Sequence, residues 1–230
     1  MREIVLDTET TGLDPADGHR IVEIGCVELI DHLPTGATFH RYLNPERPVP
    51  IESQRVHGLT DAFLADKALF ADIVDEMHAF LGDAPLVIHN ASFDIKFLNA
   101  ELLRVTRPAI PLARAIDTID IAKAKIPGAR YSLDELCKRF GIDLSARTKH
   151  GALLDAELTA RVYLELVGGR QTRLKLAPRD SDGAVTIQIA STTIRARPNI
   201  LPLRISPEEE AAHADFVARE LGAEAVWNRR

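Results

Sequence analysis

Two acidic residues near the start of the chain have a spacing that suits metal chemistry. In the stretch IVLDTETTGLD, three apolar residues lead into Asp7, and Glu9 follows two positions later. Alternate residues of a β-strand point to the same face, so both carboxylates are expected on one side of a strand. Two such anions repel unless a cation lies between them, and their oxygen atoms suit Mg2+ or Mn2+. The pair predicts a metal-binding site. The alternative is that both carboxylates simply lie in solvent at the end of a strand.

Two further stretches place acids where the predicted secondary structure changes. In VIHNASFDIKFL, Asp94 falls in the first turn of a helix, where the helix dipole alone would explain a negative charge. In KHGALLDAELTA, Asp155 lies on an apolar helix and His150 precedes it by five residues. Five helical steps of about 100° take His150 off the face of Asp155. The two can share a site only if His150 lies in the loop or first turn, and Gly151 supports such an irregular start; an ordinary loop histidine is the alternative.

The elements that must position these residues alternate along residues 1–168. Apolar runs predict strands in EIVLD, RIVEIGCVEL, ATFHRYLNP and PLVIHN. Helical periodicity predicts helices in FADIVDEMHAFLG, SFDIKFLNAELLRV, YSLDELCKRFGI and ALLDAELTARVYLELVGG. A proline-rich loop is expected between the third strand and the first of these helices. Strands interleaved with helices indicate an α/β domain, with a mixed sheet flanked by helices.

The composition limits the classes of function that remain. Of the 230 residues, 46% are hydrophobic and 27% are charged, the usual balance of a globular protein. The net charge of -6 disfavours a protein that coats nucleic acid by neutralising many phosphates, but not an enzyme that grips a few nucleotides through bound cations. Cys26 and Cys137 are the only cysteines, so a reducing cytoplasm fits better than a disulfide framework. No membrane partner is expected, because the sequence has neither an apolar run of about eighteen residues nor a signal peptide.

Together, the three acidic stretches resemble the DEDDh family of 3'→5' exonucleases. The first motif is DTETTG, beginning at Asp7; the second is HNASFD, ending at Asp94; the third is HGALLD, from His150 to Asp155. Order, spacing and flanking residues all agree with the family. The resemblance implies a ribonuclease H-like fold for residues 1–168, with a C-terminal linker and a helical tail behind it.

The resemblance also implies the chemistry. Asp7, Glu9, Asp94 and Asp155 would bind two divalent metal ions, Mg2+ or Mn2+, and all four would be catalytic. His150 would act as the general base that accepts a proton from the attacking water. The implied product is a nucleoside 5'-monophosphate released from the 3' end of a polynucleotide.

Within this family the chain resembles the epsilon subunits of bacterial DNA polymerase III, which proofread newly made DNA. VHGLTD, YSLDELC and KHGALLDAELTARVYLELVGG carry that closer likeness. It implies a single-stranded 3' end of DNA as the substrate, and action in the cytoplasm at the replisome. The residues implied to contact substrate are Asp7, Glu9, Glu52, His57 and Asp155. A surface acid and a loop histidine are the alternatives for Glu52 and His57.

After residue 168 the sequence becomes polar and contains turn-forming residues, and a linker is expected over 169–199. Within it, the peptide 171–176, QTRLKL, resembles the short motifs by which epsilon subunits dock on the sliding clamp, with Gln171, Leu174 and Leu176 as the contact residues. A basic linker is the alternative. The alternating stretch AVTIQIAS at 184–191 could form a strand, and nothing in the sequence says where it would pair.

Residues 200–230 are predicted to form a helical segment that binds a partner. Ser206, Pro207 and Glu209 form a helix start with a capping box. A segment of this size cannot readily build its own core, and Phe216 and Trp227 are side chains suited to docking. The segment resembles the epsilon tail that binds the polymerase alpha subunit. The alternative is a helix that packs back on the catalytic domain.

Two other functions are compatible with parts of the pattern. An RNA-trimming member of the same family, such as ribonuclease T or oligoribonuclease, would share the catalytic residues but generally lacks the clamp-like peptide and tail. A nonenzymatic scaffold could bridge clamp and polymerase with an inactive nuclease fold. The complete set of mutually repelling acids speaks against the scaffold, which has no need of them.

Overall fold

A five-stranded mixed sheet organises the larger part of the computed structural model, which describes residues 1–145, 147, 149–168 and 206–221. The strands are β1 (Arg2–Thr10), β2 (Ile21–Ile30), β3 (Leu33–Tyr42), β4 (Leu86–Ile88) and β5 (Ala115–Asp117). Their order across the sheet is β3-β2-β1-β4-β5. The first three pair antiparallel, whereas β4 and β5 continue the sheet in parallel with β1. The predicted α/β class with a mixed sheet is confirmed.

Helices cover both faces of this sheet. They are α1 (Ile51–His57), α2 (Asp61–Leu64), α3 (Phe70–Leu81), α4 (Ala91–Arg104), α5 (Thr118–Lys125), α6 (Leu133–Phe140) and α7 (Ala152–Val167). On one face, Ile4 and Leu6 of β1 share a core with α3 and α4. On the other face, Val5 packs with Ala156 and Ala160 of α7. Because β1 is buried on both faces, its apolar residues form a continuous run rather than an alternating one.

The loop predicted between β3 and α3 is wrong in part, since α1 and α2 form within it. Helix α1 begins after Pro50 and ends at Gly58, whose φ of 81° closes the helix in the left-handed region. It has only seven residues, too few for a periodic apolar pattern to predict a helix. Strand β5 and helix α5 were also not predicted, and β5 has three residues only.

Strand β1 is longer than the predicted EIVLD run, so Glu9, which follows that run, also lies inside the paired strand. Asp7 lies opposite Gly25 of β2, and Glu9 lies opposite Glu23. Helix α7 crosses the sheet at Gly25, where a Cβ atom would lie 2.2 Å from the backbone nitrogen of Leu153. Only glycine permits this approach, which brings the first turn of α7 next to Asp7.

The described residues 206–221 contain α8 (Pro207–Phe216), followed by a π-helical turn at Val217–Leu221. The predicted capping box is confirmed: Ser206 Oγ accepts from the Glu209 amide at 3.2 Å, and Glu209 Oε2 accepts from the Ser206 amide at 2.9 Å. Every residue of α8 is exposed.

Several predictions fall outside the described residues. These are the linker 169–199 with Gln171, Leu174 and Leu176, the stretch 184–191, and Trp227. The predicted boundaries of linker and tail therefore stay predictions. Over the residues that are described, no helix has the length and apolar character needed to cross a membrane.

Candidate active site

The five residues predicted to be catalytic come together at one end of β1. Asp7 and Glu9 lie on the strand itself, and Asp94 lies in the first turn of α4. Asp155 lies in the first turn of α7, and His150 lies in the loop before it. Helices α4 and α7 belong to opposite faces of the sheet. The site is therefore assembled around the strand end from both sides.

Asp94 is fixed to β1 by two hydrogen bonds from a single residue. Its Oδ1 atom accepts from the Thr8 backbone amide at 3.0 Å and from Thr8 Oγ1 at 2.7 Å. Thr8 stands between Asp7 and Glu9, and its side chain points to the α4 face because side chains alternate along a strand. The threonine thus ties the acid of α4 to the two acids of the strand.

The start of α4 depends on an acid that the sequence analysis did not single out. Asp117, at the end of β5, accepts from the amides of Asn90 at 3.2 Å, Ala91 at 2.9 Å and Ile119 at 2.8 Å. Asn90 occupies the N-cap position with a φ of 69°, and its own side chain makes no capping bond. Asp117 therefore holds the turn that presents Asp94. An aspartate directly before a helical stretch was the available signal.

His150 and Asp155 meet in the way that the sequence required. Helix α7 begins only at Ala152, so the prediction that His150 lies before the regular helix is confirmed. His150 Nδ1 lies 3.1 Å from Asp155 Oδ2, and its backbone amide donates to the Val56 carbonyl at 3.2 Å. Ligand atoms of Glu9, His150 and Asp155 all lie within 4.8 Å of one another.

Burial and mutual repulsion raise the pKa values of three of the acids. Burial, followed by the charges of Asp94, Glu9 and Asp155, raises the pKa of Asp7 well above its usual range. The pKa of Glu9 rises to about 8 for the same kinds of reason, burial again first. Burial also raises the pKa of Asp94 to about 7, although the hydrogen bonds from Thr8 oppose it. These carboxylates cannot all ionise without a compensating cation.

Asp155 differs from the other three acids because a cation already lies against it. Burial raises its pKa, but hydrogen bonds from His150 and Arg147 outweigh burial and leave the pKa below its usual value. Arg147 donates from Nε to Asp155 Oδ1 and from Nη2 to Asp155 Oδ2, both at 2.6 Å. The sequence analysis missed Arg147, because a basic residue in a loop carries no periodic or spacing signal.

A fifth buried acid adjoins the site. Glu23 of β2 is 3% exposed and lies opposite Glu9. Its Oε1 atom lies 2.7 Å from His40 Nε2. An acid inside the apolar run RIVEIGCVEL was the signal that could have identified it, since buried glutamates need a partner.

Two clefts open on either side of the strand end. A cleft of about 660 Å³ is lined by Asp7, Arg147, His150 and Asp155. Another of about 550 Å³ contains Glu9 together with Glu52 and His57, the two residues predicted to contact a nucleotide. Helix α1, absent from the sequence prediction, is what carries these two side chains to the cleft.

The ring of His57 is prepared to donate a hydrogen bond. Its Nδ1 atom accepts from the Leu59 amide at 3.0 Å, so the proton of the neutral ring is on Nε2. The side chain is buried, and Nε2 has no hydrogen-bond partner among the described residues. Burial lowers the pKa of His57, which favours this neutral form.

The donor set fits a hard divalent cation. Carboxylate oxygens converge beside the imidazole of His150, the negative charges of the carboxylates repel one another, and the guanidinium of Arg147 lies against Asp155. Oxygen-rich sites of this kind bind Mg2+ or Mn2+.

The sequence matches a known family over most of this domain. The family model described as "Exonuclease" covers residues 4–163. The DNA polymerase III subunit epsilon of Rickettsia conorii is 48% identical over 226 residues, which span 96% of this chain and 97% of that protein. The subunit of the same name from Escherichia coli is 42% identical over 241 residues, which span 98% and 97% of the two chains.

Solved structures of exonucleases share the fold. Exonuclease X in complex with 5' overhanging duplex DNA aligns with a TM-score of 0.56 and 28% identity, over 71% of this chain and 90% of that one. The nuclease domain of 3'hExo, a DEDDh family member bound to rAMP, aligns with a TM-score of 0.63 and 22% identity, over 72% and 91%. The mixed sheet is therefore the ribonuclease H-like exonuclease fold, as predicted. The chain belongs to the exonuclease family and, within it, to the DNA polymerase III epsilon subunits.

Proposed function

We propose that Asp7, Glu9, Asp94 and Asp155 hold two divalent ions, Mg2+ or Mn2+, and that this centre hydrolyses the terminal phosphodiester of a DNA strand. The chain is a 3'→5' exonuclease of a metal-dependent family. The observation that carries the proposal is the convergence of the acids: ligand atoms of Glu9 and Asp155 lie within 4.8 Å of each other, and Asp7 lines the same cleft as Asp155. Burial and neighbouring carboxylates raise the pKa values of Asp7, Glu9 and Asp94 in agreement with this. A cluster of this kind needs cations before it can ionise at neutral pH.

When bound, the ions would supply a water of lowered pKa and would neutralise the charge that develops on the leaving 3' oxygen. The protein's own general base is His150. Asp155 Oδ2, 3.1 Å from His150 Nδ1, accepts a hydrogen bond from the protonated Nδ1 and orients the ring. Nε2 is then free to take the proton of the attacking water, and the product is a nucleoside 5'-monophosphate.

The cleft beside Glu9 receives the terminal nucleotide. His57 Nε2 donates to it, and Glu52, which lines the same cleft, accepts from it. Leu13, which is 84% exposed, and Phe93 line the same cleft and offer apolar surface for a base. A mispaired 3' end separates from its template at a lower cost than a paired one, so mispaired termini are the preferred substrate.

The C-terminal region binds the exonuclease domain to other components of a replicative DNA polymerase. The relatives are named as subunits of DNA polymerase III, and such a subunit acts in the cytoplasm at the replisome, without a membrane partner. Residues 200–230 contact the polymerase alpha subunit through Phe216 and Trp227; the 49% exposure of Phe216 supports this role. The peptide 171–176 contacts the sliding clamp through Gln171, Leu174 and Leu176.

A digestion assay tests the proposal. The full-length chain is incubated with a primer–template whose 3' terminus is matched or mismatched, in Mg2+ or in excess chelator, and with an RNA strand of the same sequence. Rapid removal of the mismatched DNA terminus, lost in chelator and in Asp94→Asn, supports the proposal. Undiminished digestion in chelator, or faster digestion of the RNA strand, contradicts it.

His150→Ala separates the base from the metal ligands. Loss of the general base is expected to lower turnover by roughly two to four orders of magnitude, while Mn2+ binding measured by calorimetry persists. Turnover at the wild-type level would remove His150 from the mechanism.

A further inference from the structure

Arg147 is a cation of the chain itself that lies inside the acidic centre. It comes from the loop between α6 and α7, and its side chain is only 8% exposed. The guanidinium donates to both oxygens of Asp155 at 2.6 Å. It also contacts Asp134 of α6, whose side chain is 48% exposed. Arg147 therefore bridges a buried acid of the centre and a half-exposed acid at its edge.

A second arginine of the chain makes the same kind of pair without belonging to the centre. Arg20 donates from Nε to Glu101 Oε1 at 2.6 Å and from Nη2 to Glu101 Oε2 at 2.9 Å. Both side chains are largely buried, at 14% and 3% exposure. Neither residue lines either of the clefts described above. The geometry of the two pairs is alike, and only the surroundings differ.

We infer that Arg147 is a built-in counter-cation that competes with the divalent ions for Asp155. The inference rests on the proposed metal site at Asp155 and goes beyond it. Paired carboxylate and guanidinium groups form strong, bidentate bonds, so the acid must give up this partner before it can serve a metal. A guanidinium and a divalent cation in contact with the same carboxylate also repel each other.

Asp134 makes the exchange possible at small cost. A buried arginine that lost its partner would be left with an uncompensated charge, which is strongly unfavourable. Arg147 keeps Asp134 as a second partner when it leaves Asp155. The guanidinium then shifts toward the rim of the cleft rather than into open apolar surroundings.

The same arginine also controls the state of His150. Arg147 Nη2 lies 2.7 Å from His150 Nδ1, and Asp155 Oδ2 lies 3.1 Å from the same nitrogen. In the neutral ring Nδ1 either accepts from Arg147 or donates to Asp155, not both. While it accepts from Arg147, the ring proton is on Nε2, and Nε2 cannot act as a base. Once Arg147 withdraws, Nδ1 carries the proton toward Asp155 and Nε2 becomes basic. Arg147 thus acts as a positioning residue that couples metal binding to activation of the base.

Calorimetric titration of the full-length chain with Mn2+ tests the inference without an activity assay. Arg147→Met is expected to bind Mn2+ more tightly than the wild type by roughly five- to 150-fold, the usual range for coupling between two binding events. Arg147→Lys, which keeps the charge, should lie closer to the wild type than to the Met variant. Equal or weaker Mn2+ affinity in both variants would overturn the inference.

The matched control is Arg20→Met, which removes an equally paired arginine from a carboxylate outside the centre. It should lower the unfolding temperature and leave Mn2+ affinity unchanged; a gain equal to that of Arg147→Met would overturn the inference. Asp155→Asn separates the two proposals. If Asp155→Asn weakens Mn2+ binding while Arg147→Met matches the wild type, the counter-cation fails and the metal site stands. If the wild type binds no Mn2+, both fail.

Asp134→Asn tests the second partner. When Arg147 is present, removing the Asp134 carboxylate leaves the guanidinium bound to Asp155, so Mn2+ affinity should fall. In the Arg147→Met background the same substitution should change the affinity little. A simple loss of negative charge would weaken binding equally in both backgrounds, and that result would overturn the role given to Asp134.

Discussion

The two ends of strand β1 each carry buried acid, but the structure treats them differently. At the start of the strand, Glu3 is completely buried. Tyr163 Oη donates to its Oε1 atom at 2.7 Å, and His32 Nδ1 lies 2.8 Å from its Oε2 atom. At the other end, Asp7 and Glu9 face further carboxylates, and burial and those charges raise the pKa values of both.

The contrast separates structural acids from functional ones. Glu3 has partners on both oxygens from residues that belong to the fold, so its polar atoms are satisfied without a cation. A buried carboxylate among like charges reduces the stability of the metal-free protein until a cation arrives. We therefore expect the same strand to serve as scaffold at one end and to supply the proposed metal ligands at the other.

The largest expected effect is the loss of turnover when the charge of Asp7 is removed. The same change at the other end of β1 is the control. Asp7→Asn should lower turnover by about three orders of magnitude, since several kcal/mol of charge stabilisation are lost with a ligand of the ions. Glu3→Gln, the matched change at the other end, should leave turnover near the wild-type value. Single-turnover digestion of a mismatched 3' end measures both. If both variants lose turnover to a similar extent, the two ends of β1 do not differ in function.

The pH dependence of stability should reveal the raised pKa of Glu9. The pKa of Glu9 is raised from 4.5 to about 8 in the folded chain, so the folded state binds the proton more tightly than the unfolded state. Between these pH values the unfolding free energy contributed by Glu9 falls as pH rises. In chelator, Glu9→Gln should therefore gain stability relative to the wild type between pH 6 and pH 8.5.

Urea unfolding at the two pH values, with and without Mn2+, measures this gain. Mn2+ should remove the advantage of the Gln variant by stabilising the ionised wild type. If the unfolding free energies of the two proteins change with pH in parallel in chelator, burial and neighbouring carboxylates do not raise the pKa of Glu9.

The smallest effect is expected at the structural end. Tyr163→Phe removes one donor from Glu3 and should lower the unfolding free energy by about 1.5–3 kcal/mol, the usual range for a hydrogen bond to a charged group. Turnover and Mn2+ affinity should stay at wild-type values. A loss of Mn2+ affinity in this variant would mean that the two ends are coupled through the strand.

Local rules predicted where the acids lie along the chain, whereas their joint role in one metal site was implied by the resemblance to the exonuclease family and stays a prediction. Asp7 and Glu9 share a face by strand alternation, and Asp94 and Asp155 each fall in the first turn of a predicted helix. Helical geometry required only that His150 lie before α7 if it shares a site with Asp155, and α7 indeed begins after it, at Ala152. Such inferences need no knowledge of distant contacts.

The remaining parts of the site depend on contacts across the fold. Arg147 meets Asp134 and Asp155 only because α6 and α7 pack together, and no pattern in the sequence RTKHG predicts that. Gly25 was visible inside its strand, but the helix that approaches it is a property of the tertiary structure. Helix α1 was missed because seven residues beginning after a proline give too short a periodic signal.

The central claim is that four acids around the end of β1 hold two divalent ions. Anomalous diffraction from crystals of the full-length chain soaked in Mn2+ tests it most directly. The account predicts two manganese peaks whose protein ligands come from Asp7, Glu9, Asp94 and Asp155. Manganese bound only elsewhere on the surface, with these carboxylates still free of it, would contradict the account.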